Sequence, residues 1–100
     1  MKSKSFRTTK KLAFEACKKA LHEFECEIVS FNFSSGIIES KKSGGLLSYG
    51  HEIRLTVGTS QAGKVNVSVS SNSIGIQIFD WGTNSKNEVD LIELITNAQK

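Results

Sequence analysis

Ile53-Arg54-Leu55-Thr56-Val57-Gly58-Thr59-Ser60-Gln61-Ala62-Gly63-Lys64-Val65-Asn66-Val67-Ser68-Val69-Ser70 is the stretch that decides the fold. Ile53, Leu55 and Val57 alternate with Arg54 and Thr56, and Val65, Val67 and Val69 alternate with Asn66, Ser68 and Ser70. A period of two puts one apolar face on each segment and leaves the other in water, the signature of a strand covered on one side. Thr59-Ser60-Gln61-Ala62-Gly63 supplies turn chemistry between them. So short a connection joins neighbouring strands directly, which makes the pair antiparallel.

The same pattern recurs upstream. From Cys26, the residues Val29, Phe31 and Phe33 alternate with Ser30 and Asn32, and their apolar side is expected to face the core. Ser34-Ser35-Gly36 reads as a turn and Ile37 to Lys41 as the returning strand. A loop follows at 42–50. Before these strands the period lengthens. Thr8 or Thr9 can cap a helix, and Ala13, Phe14, Cys17, Ala20, Leu21 and Phe24 recur at steps of three and four. Lys11, Glu15, Lys18, Lys19 and His22 take its polar face. Ser3 to Arg7 suits a short edge strand ahead of it. After Ser73, the residues Ile74, Ile76 and Ile78 suit a last strand or an extended approach to a second helix. That helix starts near Thr83 or Asn84, with Val89, Ile92 and Ile95 along one side and Leu91, Leu94 and Ala98 widening the stripe. The predicted fold is one α+β domain over 1–100. An antiparallel sheet of four to six strands is covered on one face by N- and C-terminal helices, as a helix-grip-like two-layer sandwich.

Composition agrees with one modest core. A chain of 100 residues fits a single domain and buries roughly two-thirds of its unfolded surface. No apolar run approaches the ~20 residues of a membrane span. Met1-Lys2-Ser3-Lys4 has a basic start, but the uninterrupted apolar region of a signal peptide does not follow it, so a cytoplasmic location is expected. Cys17 and Cys26 have neither CxxC spacing nor a His pair nearby, which argues against a zinc site and for two reduced thiols. Residues 1–24 hold seven Lys/Arg against Glu15 and Glu23, a charge of +5, whereas the remainder holds six against eight, −2.

Four further stretches carry a resemblance. They are Gly36-Ile37-Ile38, Leu47-Ser48-Tyr49-Gly50-His51-Glu52-Ile53, Val69-Ser70-Ser71-Asn72-Ser73, and Phe79-Asp80-Trp81-Gly82-Thr83-Asn84-Ser85-Lys86-Asn87. Together they resemble a small bacterial domain family without assigned function, marked by Ser-Tyr-Gly and Asp-Trp-Gly-x-Asn-x-x-Asn. The element order is also loosely similar to the helix-grip domains of the lipoprotein in the outer-membrane β-barrel assembly machinery. That second likeness implies a binding or assembly role, sometimes with a ligand held between sheet and helix. A final helix of about 15 residues spans only ~22 Å, which leaves little room for such a cavity.

No catalytic constellation is legible. His22 lies among lysines on a helix's polar face, and His51 and Glu52 are neighbours in a strand, so they point to opposite faces. The serines lack a GxSxG elbow, and Gly44-Gly45 matches no phosphate loop. Asp80 fits a helix cap better than an acid or base. No catalytic residue, metal ligand or cofactor is therefore expected.

Binding is expected instead, to another protein. Leu46, Leu47 and Tyr49 stand between glycines in the 42–50 loop, outside the regular periods, and can either present an apolar surface or fold back over the sheet edge. Trp81 can either plug the core's end or contact a partner at its rim. These four form the expected contact surface of a non-catalytic binding or assembly module. The alternative is an anionic-surface binder, for a lipid headgroup or nucleic acid, using Lys4, Arg7, Lys10, Lys11, Lys18 and Lys19. Nucleic acid is disfavoured because single strands want exposed aromatic platforms, and the phenylalanines are expected inside. A third reading, a carrier of a small apolar ligand, requires an internal cavity of about 300 Å³ or more.

Overall fold

A computed structural model describes residues 2–42, 50–59, 63–73 and 83–98. The chain runs β1 (Lys2–Phe6), α1 (Lys10–Glu23), β2 (Cys26–Asn32), β3 (Ile37–Lys42), β4 (His51–Thr59), β5 (Val65–Ser73) and α2 (Thr83–Ala98). The five strands form one antiparallel sheet in the order β1-β5-β4-β3-β2. Ile53 faces Ser71, Leu55 faces Val69 and Val57 faces Val67 across the β4–β5 pair.

Ile38, Ile53, Leu55, Val57, Val65, Val67 and Val69 all turn to the same face of the sheet and are buried there. Ala13, Phe14, Cys17, Ala20 and Leu21 of α1 and Leu91 and Ile95 of α2 close over them. Burying a Val, Leu or Ile side chain contributes about 1.5–3 kcal/mol, so these rows hold the two layers together. The small side chains at positions 13, 17 and 20 let α1 approach the strands closely. The other sheet face, with Glu52, Arg54 and Thr56, is left in solvent. The two-layer α+β architecture expected from the alternation is the one observed.

Local chemistry sets the helix ends. Thr9 is extended (φ −97°, ψ 158°), and its Oγ1 accepts the Leu12 N–H at 3.2 Å. At the other end Glu25 adopts a left-handed conformation, φ 61°, and its N–H donates to the His22 carbonyl at 3.1 Å. Lys42 Nζ then donates to the Phe24 carbonyl at 2.7 Å and sits 4.1 Å from the Phe24 ring centroid, a cation where the helix dipole favours one.

Gly36 fixes the tip of the β2–β3 hairpin. Its φ is +75°, and a Cβ there would run into the Val57 carbonyl oxygen. The Gly36 N–H donates to Asn32 O at 2.9 Å, and Val57 N–H donates to Gly36 O at 2.7 Å. The tip is thereby docked on β4.

One helical assignment needs correction. Val89, expected on the apolar stripe of α2, is exposed, and Leu91 and Ile95 carry the packing instead. The expected strand at Ile74, Ile76 and Ile78 and the cap at Asp80 lie outside the described residues. Among the described residues, no helix is long and apolar enough to cross a membrane.

Candidate binding surface

The clearest departure from expectation is in β2. Cys26, Glu27 and Ile28 pair with Lys42, Lys41 and Ser40, yet Ser30 pairs with Glu39, so Val29 is an extra residue in the ladder. This β-bulge breaks the single alternation read from Val29 through Phe33. Val29 leaves the inner row, while Phe31 pairs with the buried Ile38. Because β2 is an edge strand, a side chain on its inner face has protein on one side only. Val29, Phe31 and Phe33 are accordingly 55%, 58% and 47% exposed: Phe31 and Phe33 turn toward α1 but are not enclosed, so the expectation that all three lie in the core is wrong, and with it goes the ground on which nucleic acid was disfavoured.

The two rings are nonetheless held. Phe14 of α1, 2% exposed, meets Phe33 edge-on, with centroids 5.3 Å apart and planes at 80°, and meets Phe31 at 6.2 Å and 64°. Lys10 Nζ lies 5.1 Å from the Phe33 centroid and donates to Ser34 O at 3.1 Å. Lys18 Nζ lies 4.9 Å from the Phe31 centroid and pairs with Glu15 Oε1 at 3.2 Å. Aromatic pairs of this geometry are worth about 0.5–1.5 kcal/mol and exposed cation–π contacts about 0.5–1 kcal/mol, enough to fix orientation. The seam between α1 and β2 thus presents two oriented rings with an ammonium beside each.

The six basic residues singled out in the sequence do not converge. Lys10 and Lys18 meet at this seam. Lys4 belongs to β1, the opposite edge of the sheet, where its Nζ lies 3.3 Å from Thr96 Oγ1 and 5.5 Å from the Phe6 centroid. Arg7 is exposed in the connection before α1, and Lys11 and Lys19 are exposed on the helix. Leu46, Leu47, Tyr49 and Trp81 lie outside the described residues.

A polar group sits inside at one end of the layers. Ser40, His51, Ser71, Asn87 and Glu88 are buried. Glu88 Oε2 accepts the Ser71 N–H at 3.0 Å, and Asn87 Nδ2 donates to Ser71 Oγ at 3.3 Å. Strand β1 pairs with β5 only as far as Val69, so the carboxylate serves a backbone donor just beyond the end of that ladder. These contacts tie the start of α2 to β5. His51 and Glu52 point to opposite faces, one buried and one exposed, as alternation requires. Among the described residues no group of three or more His, Cys, Asp or Glu could hold a metal ion.

Burial disfavours the thiolate form of both cysteines. Burial pushes the Cys17 thiol up to about 12. Burial also raises Cys26, to about 11, against a smaller downward pull from the Lys42 ammonium. On the outer sheet face, Val29, Glu39, Lys41, Glu52, Arg54, Ser70 and Asn72 help line a depression of about 340 Å³. Arg54 and Glu39 pair there at 2.6 Å, and charged walls of this kind do not suit an apolar ligand. No protein-family model matches the chain, and no curated protein matches it in sequence.

Proposed function

We propose that this chain is a non-catalytic binding module that recognises a partner protein through the α1–β2 seam. The observation that carries the reading is the pair of half-exposed rings, Phe31 and Phe33, each with a lysine ammonium beside it. Leaving such rings in water forgoes burial worth about 1–2 kcal/mol apiece, which a partner's apolar side chains would recover. Aromatic anchors of this kind dominate protein interfaces. Lys10 and Lys18 select for partner carboxylates near them. A broad anionic-surface role fits less well, because Lys4 is at the far edge of the sheet and engaged with α2. The reading includes a bacterial, cytoplasmic setting and kinship with helix-grip modules, as expected from the sequence.

The test is to place a photo-reactive benzoylphenylalanine at Phe33 and, as a control, at the exposed Val89, and to cross-link in host cells. Protein cross-links specific to position 33, mapping to segments rich in Asp or Glu and weakened by Lys10→Ala with Lys18→Ala, are expected. Cross-links at 33 that run only to lipid or nucleic acid, or that equal those at 89, would sink the proposal.

A further inference from the structure

We infer that the edge of β2 takes up an extended acidic segment of the partner as a sixth strand, anchored opposite Ser30–Asn32. This rests on the binding-module reading above and adds the mode and the chemistry of the occupant.

Three features of the two sheet edges lead there. First, among the described residues β2 ends the sheet, and in its straight half Phe31 turns its backbone N–H and C=O away from β3, since the Asn32 carbonyl points into the hairpin and accepts the Gly36 N–H at 2.9 Å. Second, the two edges are guarded differently. Strand β1 carries Lys2 and Lys4 on the inner-facing positions, paired with Val69 and Val67, and Lys4 reaches across to α2. Lysines placed this way are the usual protection of an edge against unwanted pairing. Strand β2 has one charged residue, Glu27, and it lies on the far side of the Val29 bulge. The bulge twists the first half of the strand away and confines straight pairing to Ser30, Phe31 and Asn32.

Third, charge decides the occupant. An incoming strand would set its side chains about 5 Å from Phe31, within reach of the Lys18 ammonium on that ring. Phe33 and Lys10 repeat the arrangement at the hairpin tip. The rings and both lysines lie on the helix-covered face, so the matching segment carries apolar residues and carboxylates together on its alternate positions i, i+2 and i+4, with polar residues between them. A second copy of this chain is a poor occupant, since antiparallel pairing of two β2 strands about Phe31 would set Lys18 against its equivalent and pairing about Asn32 would set Lys18 against Lys10, and like charges across strands repel. Recognition by strand addition uses main-chain hydrogen bonds for affinity and alternate side chains for choice of partner.

The experiment selects ten-residue peptides from a random displayed library on the immobilised full chain. Peptides that also bind the Phe31→Ser/Phe33→Ser double variant are discarded. Winners are measured by fluorescence anisotropy, each also made with N-methyl groups on one or the other backbone edge. The expected winners carry Asp or Glu and apolar residues two positions apart, on one face of the peptide strand. One N-methyl series should lose about tenfold or more in affinity while the other keeps it, because a strand pairs along one edge only. The Phe31 amide should gain protection from hydrogen exchange on binding, while those of Ser30 and Asn32, which face β3, should change little. Acidic winners that tolerate both N-methyl series refute strand addition and leave the binding-module reading standing. A selection without acidic winners overturns both. Equal displacement of the winners by oligo-dT or by phosphatidylserine vesicles assigns the seam to another class of partner and also overturns the inference.

Discussion

Replacing Gly36 by Ala tests whether the hairpin that carries Phe31 and Phe33 is held by its docking on β4. Two costs are separable at this position. A non-glycine residue at φ +75° costs about 1–2 kcal/mol of backbone strain. In addition, the new Cβ would run into the Val57 carbonyl oxygen, which belongs to a central strand and cannot rotate away as a side-chain end could. Relief requires the hairpin tip to lift, which loses the 2.7 Å bond from Val57 N–H to Gly36 O, worth about 1 kcal/mol, and adds overpacking strain of about 1–3 kcal/mol. The total is about 3–6 kcal/mol, at the upper end of single substitutions. Gly63 is the control, since its φ is +77° but a Cβ there meets nothing within 4 Å, so Gly63→Ala should cost the backbone strain alone, about 1–2 kcal/mol. Gly58 meets nothing within 4 Å and needs no left-handed backbone, so Gly58→Ala should stay within about 0.5 kcal/mol of the parent or gain slightly. Urea unfolding followed by circular dichroism at low temperature reads all three midpoints. At about 6 °C per kcal/mol, the middle of the range for a chain of this size, thermal midpoints should fall by about 6–12 °C for Gly63→Ala and by about 18 °C or more for Gly36→Ala. Equal losses at Gly36 and Gly63 would refute the docking argument.

Glu88→Ala should lower stability by about 1–3 kcal/mol, because it removes the acceptor of the buried Ser71 N–H, while Glu88→Gln, which keeps an acceptor oxygen, should lose less; urea midpoints with an unchanged slope would show it. Phe14→Ala should cost about 3–5 kcal/mol, whereas Phe31→Ser and Phe33→Ser should each cost under about 2 kcal/mol, since only the first empties a buried site. Equal costs would mean that the two edge rings belong to the core. Stability should fall as pH rises above about 9. The folded state holds the Cys17 proton to about 12 while an unfolded thiol releases it near 8.5, so the unfolded chain binds fewer protons in that window and unfolding is favoured there. Cys17→Ala should flatten that alkaline limb in a urea series taken from pH 8 to 11.

The layers were legible because β4 and β5 alternate without interruption over regular stretches, and α1 keeps a clean stripe from Ala13 to Leu21. Antiparallel pairing followed from short connections, as did the Thr9 cap from its position. Strand order was not legible, since the placement of β1 beside β5 at the far edge depends on where two helices pack, and no local pattern encodes that. Exposure on β2 was missed for the same reason. Alternation says which way a residue points, and only the neighbour count on each side says whether it is covered. The buried polar group likewise escaped, because Ser71 sits next to Ser70 in a serine-rich run, and the inward one of the pair is chosen by register.

The bulge was nonetheless written in the chain. With Val29 set aside, Cys26, Ile28, Phe31 and Phe33 alternate with Glu27, Ser30 and Asn32 in one unbroken phase; with Val29 kept, two adjacent β-branched residues collide with the period. The extra residue therefore does two things at once. It spoils the first half of an edge that would otherwise be straight, and it leaves a short second half that keeps its phase, its rings and its unguarded backbone. A strand selected only to be inert at an edge would gain more from a lysine at position 31, as β1 has at positions 2 and 4. Phenylalanine at positions 31 and 33, braced by Phe14 and flanked by two ammonium groups, makes sense for an edge kept open to one kind of strand and closed to others.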